Sequence, residues 1–195
     1  MDRRSNNIAI FQDSMDLIKA NQKLQQAVQF SIQNQKLYVP SQAIALSEPG
    51  KSSCKTIVSS KRSFEAASAY AKSGKRVCVL NFASATNPGG GVTRGSTAQE
   101  ECLCRCSTLY PCLDTETMWH QFYQPHRKTS DPLYNDDLLY TPGVVIFKTD
   151  TSVPERMEEK DWYQVDIITC AAPNLRKKPS NAMNPSAGNA PVKIS

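Results

Sequence analysis

Apolar residues fall into two rhythms along this chain. Leu17, Leu24, Val28 and Ile32 recur at multiples of three to four residues, which predicts a helix over residues 13–35. Pro40 and Pro49-Gly50 mark a loop. Thr56-Ile57-Val58-Ser59 is a short strand candidate. The alanine-rich stretch 63–72 predicts a helix, stopped by Gly74 at a C-terminal capping position. Arg76-Val77-Cys78-Val79-Leu80 then has the continuous apolar character of a strand buried on both faces. A glycine loop over residues 87–95 follows, then a helix over residues 98–109 with Ser96 and Thr97 as cap candidates. A further helix is predicted over residues 115–123. Gly143-Val144-Val145-Ile146-Phe147 and Val165-Asp166-Ile167-Ile168-Thr169-Cys170 are two more strands, the last ended by Ala172-Pro173-Asn174. Strands alternating with helices predict an α/β fold whose ligand sits beyond the carboxyl ends of the strands. The glycine loop and the Ala-Ala-Pro-Asn turn both lie at such ends.

Composition narrows the class. With 195 residues, 39% hydrophobic and 21% charged, the chain has material for one domain and one core. No apolar run approaches the roughly 20 residues of a membrane span, and the polar N-terminus does not read as a signal peptide. Of the net charge of +5, four positive charges are Arg176, Lys177, Lys178 and Lys193, with no acid after residue 175. The first 175 residues keep only +1, which argues against a DNA-binding face. The Arg176-Lys177-Lys178 run reads as solvated surface. Seven cysteines, three of them at Cys102, Cys104 and Cys106, fit reduced cytoplasmic thiols better than a secreted disulfide scaffold. No C-x-x-C pair is present, and His120 and His126 lack finger-like spacing, so no metal is expected. Trp119, Phe122 and Tyr123 read as packing residues. The Pro-, Asn- and Ser-rich stretch 176–195 reads as a loop or disordered tail after a domain of residues 1–175.

The chemistry concentrates in Asn81-Phe82-Ala83-Ser84-Ala85-Thr86-Asn87-Pro88-Gly89-Gly90-Gly91-Val92 and in Gln99-Glu100-Glu101. Gly89, Gly90 and Gly91 let backbone approach a ligand and expose N–H donors to oxyanions. Asn81 and Asn87 suit sugar hydroxyls. Successive helix residues differ by about 100° in direction, so Glu100 and Glu101 have different roles. Glycosidic cleavage needs a proton delivered to the leaving oxygen, which a glutamate of raised pKa performs. Thr97-x-x-Glu100 is also a capping box, a competing role for Glu100.

Gly89-Gly90-Gly91 followed by Gln99-Glu100-Glu101 resembles the signature of poly(ADP-ribose) glycohydrolases. The Asn-Phe-Ala-Ser-Ala-Thr-Asn-Pro segment, Leu109-Tyr110-Pro111, Thr141-Pro142-Gly143 and Ala171-Ala172-Pro173-Asn174 resemble its microbial branch, over about residues 8–175. The resemblance implies a macrodomain-like three-layer α/β/α fold with a mixed central sheet, preceded by an N-terminal helical segment. It implies cleavage of ribose–ribose bonds in poly(ADP-ribose), with Glu101 as acid–base, Glu100 holding the distal ribose and Asn87 in the same pocket. The candidate substrate-binding set is Asn81, Asn87, Gly89, Gly90, Gly91 and Gln99. ADP-ribose, its polymer and ADP-ribosylated proteins are the expected partners, and no cofactor, DNA or membrane is expected. Microbial members continue with a helix, a strand and a glycine-containing diphosphate loop, so the fold is expected to be C-terminally incomplete. An ADP-ribose-binding module without turnover, or an inactive fragment, is the alternative.

Overall fold

The computed structural model describes residues 2–41, 54–129 and 134–171. The Pro49-Gly50 turn, the Ala172-Pro173-Asn174 turn and the tail at 176–195 lie outside them. Two helices open the chain where one is predicted. Helix α1 (Arg3–Ala20) starts ten residues early, because the Asp2 carboxylate accepts from the N–H groups of Arg4 and Ser5. Asn21 then leaves helical geometry (φ −113°, ψ 116°), and its side chain caps α2 (Gln22–Asn34) by accepting from Lys23 and Leu24 N–H. A short strand β1 (Lys36–Tyr38) follows, and after it helix α3 (Ser63–Ala71), ended by Gly74 at φ 79°. Thr56-Ile57-Val58-Ser59 forms no strand, and Val58 is 92% exposed.

Strand β2 spans Cys78–Ala83, later than predicted. Helix α4 (Gln99–Cys106) stops short of 109, because Ser107 turns extended and bridges to Ile146 of strand β3 (Leu138–Ile146). Thr108 N–H donates to Val145 O, and Val145 N–H returns to Thr108 Oγ1, both at 3.0 Å. Helix α5 (Leu109–Leu113) follows. The predicted helix at 115–123 is a short α6 (Glu116–Met118) and a π-helical turn (Trp119–Tyr123), and it runs on past the predicted end into α7 (Gln124–Thr129). Strand β4 is Tyr163–Ala171.

The sheet order is β1-β3-β4-β2. β4 runs parallel to β2 and antiparallel to β3, so the sheet is mixed. Pro142-Gly143 makes a bulge in β3, and a Cβ on Gly143 would stand 2.9 Å from the Phe30 ring. One face of the sheet packs Val79, Val144, Val165 and Ile167 against Phe64, Leu103, Leu109 and Tyr123 from the helices. On the other face, Val145 and Phe147 meet Ile18 and Leu24 of α1 and α2. Strand β2 is not buried on both faces as predicted. Its burial alternates, sending Val79, Asn81 and Ala83 inward and leaving Leu80 and Phe82 45% and 60% exposed.

The period-two alternation positions the chemistry. It turns Asn81 into the core beside the first turn of α4, and the carboxyl ends of β2 and β4 lie side by side there (Ala83↔Ala171).

Candidate active site

The first turn of α4 carries Glu100 and Glu101, which are only 3% and 6% exposed. Two adjacent carboxylates lose most of their hydration here, so each needs donors from the protein. Glu100 Oε2 accepts from Ser84 N–H at 2.8 Å, and Glu101 Oε1 accepts from Gly91 N–H at 2.8 Å. Their second oxygens, Glu100 Oε1 and Glu101 Oε2, are buried without a hydrogen-bond partner among the described residues. Ala98 begins the helix without a side-chain cap, so the Thr97-x-x-Glu100 capping box does not form. The Glu100 carboxylate turns instead to the end of β2. Burial pushes the Glu100 carboxyl up to about 7, opposed by the Ser84 N–H and the Asn81 amide and reinforced by the charge of Glu101.

The glycine run serves a purpose different from the one its sequence implies. Two of its three N–H groups are spent within the protein: Gly90 donates to Asn87 O and Gly91 to Glu101 Oε1. What the run supplies is proximity. Gly89 and Gly90 have φ near +60°, and a Cβ on Gly90 would lie 2.7 Å from Glu101 Oε1 and 3.0 Å from Glu100 Oε2. A Cβ on Gly89 would strike the Tyr110 ring, and one on Gly91 would strike Ser96.

A cleft of about 560 Å³ opens above the pair, walled by Ala83 to Asn87, Gly90, Gly91, Arg94, Ser96 and Tyr134. Of the sequence-predicted residues, Glu100, Glu101, Asn87, Gly90 and Gly91 face this cleft, while Asn81, Gly89 and Gln99 stand behind it. Asn81 is fully buried and donates to Thr169 Oγ1 of β4. Gln99 is occupied by the free edge of β2. Its Oε1 accepts from Phe82 N–H at 2.9 Å, and its Nε2 donates to Leu80 O at 2.7 Å. The Asn87 amide is tied down as well, donating to Thr86 Oγ1 and accepting from Arg127 Nη2 at 2.6 Å.

Arg127 is a residue that sequence reasoning missed. It also donates to Thr86 O and stacks 4.6 Å above the Trp119 ring, fixing the wall of the cleft. Tyr123 is another, read in sequence as packing alone. It is fully buried behind the pair, and burial, followed by the Glu100 charge, raises its phenol far above the usual range. Tyr134 adopts φ 57°, a strained value for a residue with a side chain, at the cleft wall. The cysteines stay dispersed. Cys106 donates to Thr149 O and Cys112 to Thr108 O, and burial pushes both thiols up to about 12. Among the described residues no group of three or more His, Cys, Asp or Glu is placed to hold a metal ion. No helix among them is long and apolar enough to cross a membrane.

Residues 8–149 match the family model "Microbial-type PARG, catalytic domain". The poly(ADP-ribose) glycohydrolase (PARG) of Thermomonospora curvata superposes with a TM-score of 0.74 at 31% identity, over 87% of this chain and 65% of that one. The same enzyme bound to the inhibitor ADP-HPD gives a TM-score of 0.66 at 30% identity, over 87% and 64%. The Deinococcus radiodurans enzyme in complex with ADP-ribose gives 0.61 at 32%, over 75% of this chain and 58% of that one. The chain thus spans under two thirds of the length of these relatives. A comparison with curated proteins finds no match. The mixed four-stranded sheet with its flanking helices has the macrodomain-like architecture of those enzymes, and the chain belongs to the family of microbial-type PARG catalytic domains.

Proposed function

We propose that this chain is a glycohydrolase that cleaves the ribose–ribose O-glycosidic bonds of poly(ADP-ribose) and releases ADP-ribose. The carrying observation is Glu101. One carboxylate oxygen is fixed by Gly91 N–H, while the other is buried without a protein partner, as a proton-transferring group requires. Glu101 protonates the leaving ribose oxygen as positive charge grows on the other sugar, then takes a proton from the attacking water. Glu100, with its carboxyl near 7, is partly protonated at neutral pH. In that form it donates to a ribose hydroxyl and removes the charge next to Glu101.

Gly90 and Gly91 line the floor on which the ribose rests, and Asn87, braced from outside the cleft by Arg127, forms part of one wall. Asn81 and Gln99 position the pair from behind. The crystal complexes of the bacterial relatives with ADP-HPD and ADP-ribose support an ADP-ribose ligand. All seven cysteines are unpaired, which suits a reducing, cytoplasmic setting.

Glu101→Gln tests the assignment. It keeps shape and the Gly91 contact but removes the transferable proton. Release of ADP-ribose from the polymer should fall at least about 10²-fold, with ADP-ribose affinity by calorimetry changed far less. Turnover within a factor of a few of wild type removes Glu101 from the mechanism. A wild type that binds ADP-ribose and releases none from polymer makes the chain a binding module.

A further inference from the structure

The floor of the cleft is anionic, yet a substrate of the proposed class is anionic too. Among the described residues lining the cleft, Arg94 is the one Lys or Arg. It ends the 3-10 turn Val92–Arg94, its side chain is exposed, and no hydrogen bond or ion pair occupies its guanidinium among the described residues. Arg127 differs, being bound to Thr86 O and Asn87 Oδ1 and stacked on Trp119.

The backbone under Arg94 is firmly placed. Its N–H donates to Gly91 O at 2.9 Å, and its carbonyl accepts from Arg4 Nε at 2.7 Å. The next residue, Gly95, accepts from the buried Asn7 amide at 3.0 Å, and a Cβ there would lie 2.4 Å from Arg4 O. Helix α1 thus holds the turn against the glycine run, and the guanidinium projects from a fixed base. A phosphate brought towards Glu100 and Glu101 meets repulsion unless a cation offsets it. A guanidinium offers a planar fork of donors that matches phosphate oxygens.

We propose that Arg94 is a phosphate-binding residue of this cleft, which receives a phosphate of the substrate as its ribose reaches the glutamate pair. This rests on the glycohydrolase reading. The phosphate has two sources, the ADP-ribose unit being released and the next unit along the polymer.

The test compares wild type, Arg94→Gln and Arg94→Lys. Calorimetry with ADP-ribose and with pyrophosphate is run beside steady-state release from poly(ADP-ribose), each at low and moderate salt. Losing one charge-assisted contact should weaken binding about tenfold or more. Arg94→Gln should therefore raise the ADP-ribose Kd or the polymer KM by that factor and flatten its salt dependence. Turnover at saturation and the melting temperature should stay near wild type, and Arg94→Lys should recover most of the loss. A raised ADP-ribose Kd assigns the released unit, whereas a raised polymer KM with unchanged ADP-ribose affinity assigns the next one. Equal affinities, KM values and salt slopes for wild type and Arg94→Gln overturn the proposal. If wild type binds ADP-ribose without turnover, the glycohydrolase reading fails alone, and the calorimetric comparison still decides Arg94. If wild type binds no ADP-ribose and turns over no polymer, both fail.

Discussion

Gly90 lies so close to Glu101 that a methyl group on its Cα would sit 2.7 Å from the carboxylate oxygen Oε1. The same methyl would reach Glu100 Oε2 at 3.0 Å, and it would have to be carried at φ 59°. Backbone strain of this kind costs roughly 1–2 kcal/mol for a residue with a Cβ. The carboxylates are side-chain ends and can shift, so the fold survives while the active geometry does not. A displacement near 1 Å in a catalytic group costs on the order of 10²-fold. Gly90→Ala should therefore lower ADP-ribose release by about that factor while the melting temperature drops only a few degrees. Near-normal turnover would show that the pair tolerates displacement.

Gln99 gives a second expectation, because sequence and structure assign it differently. As a ligand-binding amide, its loss should weaken ADP-ribose binding. As a clasp between α4 and the edge of β2, its loss should weaken the fold by about 1 kcal/mol, the scale of a hydrogen bond partly replaced by water. Gln99→Ala should lower stability by that amount in urea titration and leave ADP-ribose affinity within about threefold. Gln99→Glu should be worse, since a carboxylate cannot donate to Leu80 O. Unchanged stability with a large loss of affinity would return Gln99 to the substrate.

What the sequence made legible follows from which signals are local. The strand cores at Val144-Val145-Ile146 and Ile167-Ile168, the stop at Gly74 and the glutamate pair on a helix start are all local patterns, and the structure has them. Helix α1 was only half visible, because two of its four buried residues, Asn7 and Ser14, are polar. They face inward to reach Gly95 O and Arg105 O at 3.0 and 2.6 Å, contacts that span about ninety residues and leave no trace in periodicity. The clamp of Arg127 on Asn87 is equally non-local. Val58 has the right propensity for a strand but pairs with no strand among the described residues. The glycine run was recognisable as special, yet two of its three N–H groups look inward to Glu101 and Asn87 O, which only the fold reveals.

Glu100 yields a prediction about stability and pH. Its carboxyl has an ordinary value of 4.5 and is pushed up to about 7 by burial in the folded protein. Between those values the folded state holds a proton that the unfolded chain has lost. Stability therefore falls as pH rises through this window, and the loss is complete above the folded value. A shift of that size corresponds to on the order of 3 kcal/mol. Glu100→Gln keeps an acceptor for Ser84 N–H and cannot ionise. Thermal melts at pH 5 and pH 8 should then show wild type and variant close together at the lower pH. At pH 8 the variant should be the more stable, by several degrees. Release of ADP-ribose from the polymer should be reduced in the same variant, separating a stability gain from a functional loss at one residue. Melting curves displaced equally at both pH values would mean that the Ser84 N–H and the Asn81 amide fully offset the burial of Glu100.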